Sequence, residues 1–156
     1  MNELVANEGA QYTPGYMNTG YFVKKFAPLK EFKNPGAGIR ALNYPQNYIE
    51  IRLADTYLME AEALLQDGGD KTRAEVLLNA VRSRVGLPDV EATLDNIYNE
   101  RKLELATEGH RWFDLVRTGQ AATVLKPKGF TVGKNELLPI PLEELTNTKL
   151  EQNPKY

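Results

Sequence analysis

The stretch IRLADTYLMEAEALLQDGGDKTRAEVLLNAVRSRV, Ile51 to Val85, decides the fold. Ile51, Ala54, Leu58, Ala61 and Leu65 recur at steps of three and four, the signature of one apolar helix face. Gly68 and Gly69 stop that helix. Asp70 suits the N-cap of a second helix, which carries Ala74, Leu77, Leu78, Val81 and Val85 on one face. Gly86 and Pro88 end it. Two antiparallel helices joined by a short turn form a hairpin, and one hairpin cannot cover its own apolar faces alone. The spacing predicts a mainly α chain.

Downstream, a third helix is expected from Thr93, a good N-cap with Asp95 in the first turn, to about Glu108. Gly109 is expected to break or bend it. HRWFDLVRTG then adds about two turns before Gly119, and a short turn of helix is expected over Ala121 to Leu125. The segment ERKLELATEGHRWFDLVR, Glu100 to Arg117, concentrates four acids, four Lys or Arg residues, the only histidine and the only tryptophan. At about 100° per residue, Leu94, Ile97, Tyr98 and Leu105 share one sector. Arg101 and Glu108 fall inside that sector and Glu104 lies just beyond its edge. Leu103 lies opposite, which suggests that the far side is also partly covered. A solvated face would place the charges away from the apolar sector.

Charges on a core-facing stripe must be paired or be neutralised. Spacing of i, i+3 offers Arg101 with Glu104, Glu108 with Arg111, and Asp114 with Arg117. Three readings compete. A glycosidase-like acid and base would need carboxylates free of guanidinium neighbours, which lower a carboxyl's pKa and make it a poor general acid. An anion clamp would use Arg101 and Arg111. A structural ion network over Arg101, Glu104, Glu108, Arg111, Asp114 and Arg117 is the reading the physics favours. His110 has no second histidine or cysteine to share a metal. Trp112 shares an i, i+3, i+4 face with Leu115 and Val116 and is read as core.

Residues 1–46 read as an irregular, loop-rich segment punctuated by Gly9, Pro14, Gly15, Gly20, Pro28, Pro35 and Pro45. Tyr12, Tyr16 and Tyr21 lie in it, and aromatic rings on loops stack on ligands or anchor the coil. They are the candidate ligand-binding residues. At the other end, GFTVGKNELLPIP reads as two short extended strands around Gly133. Pro141 suits the first position of a short helix, PLEELT.

Composition excludes several classes. The 156 residues suit one domain or a piece of a larger one, and 42% hydrophobic with 26% charged residues is an ordinary globular balance. Net charge is −2, with no basic block to meet nucleic acid. The absence of cysteine removes disulfides, thiolate catalysis and Cys-based zinc sites. No apolar run reaches the roughly 20 residues that cross a bilayer as a helix.

YIEIRLADTYLMEAEALLQ, AEVLLNAVRSRVGLP, IYNERKLELATEGHRWFDLVRTG, LLPIPLEEL and LEQNPKY occur in that order. Together they resemble the C-terminal part of the SusD/RagB family, over Tyr48 to Tyr156. The resemblance implies a tetratricopeptide-like α-α scaffold with long irregular segments, occupying residues 47–156 as part of a larger domain. It implies non-catalytic capture of glycans, or of peptides, at the bacterial surface, with no cofactor. It further implies a TonB-dependent outer-membrane transporter of the SusC type as partner. Lipid anchoring to the outer membrane would come through an N-terminal region that this chain lacks. The regions that carry much of the ligand contact in the family would lie outside it too, so weak glycan binding is expected here. The family's last motif usually ends in Gly-Tyr, and here Lys155 stands at the glycine position. A tetratricopeptide-like protein-interaction module without a glycan role is the alternative.

Overall fold

The computed structural model describes residues 4–6, 13–23, 25 and 49–156. Two units can be distinguished, residues 1–92 and 93–156. The first holds a two-stranded antiparallel ribbon, β1 (Leu4–Ala6) against β2 (Tyr21–Val23), with Val5 opposite Phe22. The irregular reading of this segment missed it. LVA and YFV carry the aliphatic and aromatic residues that strands favour, but each is too short to show alternation.

Helix α1 (Leu53–Gln66) and helix α2 (Lys71–Ser83) form the expected hairpin and pack along each other. Leu58, Ala61, Ala74, Leu77, Leu78 and Val81 make its core. Both ends of the predicted apolar faces lie outside it, since Ile51 is 66% and Val85 38% exposed. The Asp70 carboxylate accepts from the Arg73 backbone N–H at 3.0 Å, the cap its position predicted. Asn79 then fastens the chain after α2, donating to the Val90 carbonyl and accepting from its N–H. An exposed Lys71–Glu91 ion pair draws the Glu91 carboxyl below its ordinary value and raises Lys71.

The second unit begins with α3 (Leu94–Glu104), capped by the Thr93 hydroxyl on the Asn96 N–H at 3.1 Å. It stops a turn short of Glu108. Thr107 (φ 71) and Gly109 (φ 84) both take the left-handed conformation and turn the chain into α4 (His110–Arg117). Helix α5 (Ala121–Val124) and a turn of 3₁₀ helix at Lys126–Lys128 follow. Leu103 is 57% exposed, so the far side of α3 is not covered as its apolar character suggested.

The strands expected around Gly133 do not form a ladder. Residues 131–137 are successive turns, with Asn135 N–H and Lys134 N–H donating to the Thr131 carbonyl. Side chains take the backbone donors that a strand partner would need. Asn135 Oδ1 accepts from Thr131 N–H at 2.6 Å, and Glu136 Oε1 accepts from Gly133 N–H at 3.0 Å. That second bond holds the Glu136 carboxyl below its usual range. The return arm before α6 (Leu142–Leu145) is non-helical, and Pro141 is the N-cap of α6, one position earlier than expected.

The chain's end secures that arm. Gln152 Oε1 accepts from Ile140 N–H at 2.8 Å while its Nε2 donates to the Ile140 carbonyl at 2.9 Å. Asn153 Nδ2 donates to the Leu138 carbonyl, and Tyr156 Oη donates to the Leu137 carbonyl. LLPIP and QNPKY are thus each other's hydrogen-bonding partners. Lys155 is left-handed at φ 68, which explains why a glycine is at home there. Its Nζ donates to the Val132 carbonyl at 2.6 Å.

Candidate functional site

The charged cluster is assembled by two helices and the bend between them. Arg101 comes off the buried side of α3, and its Nε lies 3.2 Å from each oxygen of Asp114 on α4. Arg117, one turn beyond Asp114, donates from Nη2 at 2.7 Å and from Nε at 3.0 Å. One carboxylate therefore receives two guanidiniums. The Arg101 side chain is 4% exposed, Asp114 9% and Arg117 42%. A carboxylate so engaged has few lone pairs left for a substrate.

The other network candidates are placed differently. Glu108 is buried and Glu104 half-buried, and both have interactions of their own. Arg111 is half-buried and makes no ion pair among the described residues, so the expected Glu108–Arg111 pair is absent. The anion clamp would have needed Arg101 free, and it is bound to Asp114. Glu100 is 3% exposed and was not foreseen. It extends the acidic edge of the stripe one step past Glu104, outside the apolar sector that reveals the others.

His110 is half-buried, and its Nε2 is enclosed with no hydrogen-bond partner among the described residues. No group of three or more His, Cys, Asp or Glu side chains among those residues could hold a metal. Tyr12 lies outside the described residues. Tyr16 sits on a turn closed by Asn18 N–H on the Gly15 carbonyl and is 96% exposed. Tyr21 is on β2, exposed as well.

Trp112 is not in the core. It is exposed on the outward side of α4, and its ring meets Phe130 at 6.0 Å between centroids with a tilt of 52°. Of the face Trp112, Leu115 and Val116 only Leu115 is buried, because the buried sector of α4 is confined to Asp114 and Leu115. Beside the ring pair lies a recess of about 260 Å³, lined by Trp112, Leu125, Lys128, Gly129, Phe130 and Asn135.

A helical hairpin, a bent pair of helices around a buried ion pair and long decorated turns define a tetratricopeptide-like helical scaffold. Residues 3–135 match the model of the SusD family, and the chain belongs to that family. The match reaches further towards the N-terminus than the motifs that carried the resemblance. Among curated relatives, a SusD-like protein of Formosa agariphila is 38% identical over 70% of this chain and 25% of its own length. The starch-binding protein SusD of Bacteroides thetaiotaomicron is 29% identical over 81% of this chain and 25% of its own. A solved laminarin-binding SusD-like protein superposes with a TM-score of 0.86 and 56% identity, covering 94% of this chain and 31% of the other. Surface glycan-binding protein A from Bacteroides thetaiotaomicron, in complex with laminarihexaose, gives 0.84 and 36%, over 94% of this chain and 33% of its own. The chain spans about a quarter of the length of the curated relatives it matches.

Proposed function

We propose that this chain is part of a non-catalytic glycan-capture protein of the bacterial surface, with laminarin-type glycan as its ligand class. The observation that carries this is the 56% identity and TM-score of 0.86 to a laminarin-binding SusD-like protein over 94% of the chain. The chemistry of the charged cluster agrees. Asp114 is held by two guanidiniums and Arg101 is buried against it, an arrangement for rigidity rather than for proton transfer. Tyr16 and Tyr21 are exposed rings suited to a sugar face, and Tyr12 joins them as a candidate from its sequence position.

The captured glycan would pass to a TonB-dependent transporter of the SusC type, and the protein would be lipid-anchored in the outer membrane. Both proposals rest on family membership. Native electrophoresis through laminarin-containing gel tests the capture step. Retarded mobility relative to a laminarin-free gel, with no shortening of the polysaccharide, is expected. Unchanged mobility, or depolymerised laminarin, would overturn the reading.

A further inference from the structure

We propose that the recess between Trp112 and the turn at residues 128–135 is a saccharide subsite that takes one pyranose ring. The proposal rests on the glycan reading above and gives that reading a place on the molecule apart from the tyrosines. Its volume of about 260 Å³ is below the roughly 300–1,000 Å³ of drug-sized sites, so it suits a single ring. Trp112 and Phe130 supply two tilted aromatic walls. The negative face of an aromatic ring attracts the C–H groups on the apolar face of a pyranose.

The remaining lining residues supply the polar side. Asn135 spends its oxygen on Thr131 N–H, which leaves the amide nitrogen to donate to a hydroxyl. Lys128 adds an exposed ammonium at the rim. Gly129, at φ 87, leaves its Cβ side open, with no atom of the described residues within 4 Å of where a Cβ would lie. The wall is preformed, because Lys155 ties Val132 and Glu136 ties Gly133. A preformed wall lowers the ordering cost that weak sugar sites otherwise bear. A tryptophan serving only the core would sit beside Leu115, out of solvent; this one is 36% exposed.

Trp112 is the only tryptophan, so its emission reports on this recess alone. The chain is titrated with laminarihexaose while Trp112 fluorescence is followed, and the laminarin gel is run in parallel. A saturable emission change is expected. Phe130→Leu and Lys128→Ala should each weaken it at least threefold at unchanged circular dichroism, while Lys102→Ala leaves it as it was. Gel retardation without any emission change overturns the subsite and leaves the capture reading standing. Loss of both overturns the subsite and the capture reading together. Failure of iodide to quench free Trp112 shows polypeptide covering the recess, which also overturns the subsite.

Discussion

Asp114 joins two arginines, and their burial gives the two bonds different weights. Arg101 is almost wholly enclosed, so Arg101→Ala leaves the buried carboxylate with the half-exposed Arg117 alone and should cost about 3 kcal/mol, the low end for breaking a buried pair. Arg117 is nearly half exposed, and Arg117→Ala should cost no more than about 1 kcal/mol. Lys102→Ala, on the exposed side of α3, should stay within about 0.5 kcal/mol. Urea denaturation of the three variants orders them, and equal midpoints for Arg101→Ala and Lys102→Ala would contradict the scaffold role. Thr107 offers a gain instead. A β-branched residue at φ 71 is strained, so Thr107→Gly should raise stability by about 1 kcal/mol. A lowered midpoint would show that the hydroxyl or methyl compensates. The sequence revealed that charges share the core-facing stripe of α3. It did not reveal that Arg101 bonds thirteen residues on, because counting i, i+3 sees one helix at a time. Nor does any residue type announce a left-handed threonine.

At the scale of elements, the hairpin α1–α2 was legible because its helices are long, periodic and bounded by glycines and a capping aspartate. The C-terminal turns were not. GFTVGKNELLPIP read as two short strands around Gly133, yet Asn135, Glu136, Gln152, Asn153 and Tyr156 side chains take the backbone groups a ladder would use. Gln152→Ala should therefore free the Ile140 amide and speed its hydrogen exchange at least tenfold, while Leu78 in α2 stays protected. Unchanged exchange at Ile140 would remove Gln152 from the clamp. Lys155→Ala should destabilise more than Lys155→Gly, since alanine keeps the left-handed strain and glycine relieves it. Acid should loosen the same element. Glu136 has its folded value lowered, so its contribution is present above the unfolded carboxyl value and is lost as pH falls through the folded one. Glu136→Gln should flatten the acid limb of stability against pH, and an unaltered limb would exclude it as a contributor.

For the whole molecule, family membership and the long matched stretch say more than any single residue. The same family that supplies the scaffold supplies the reading of capture without chemistry, and the buried ion pair agrees with it. What remained illegible in the sequence is where a ligand would sit. Exposed tyrosines and a half-open tryptophan look alike in one dimension, and only the fold separates Trp112 from the core. The chain covers about a third of its solved relatives. Calorimetric titration of laminarihexaose into the protein tests capture without turnover most directly. Injection heats should decay to saturation and return to baseline between injections. A sustained heat flow from hydrolysis, abolished by Glu104→Gln, or no heat at millimolar sugar, would contradict the account.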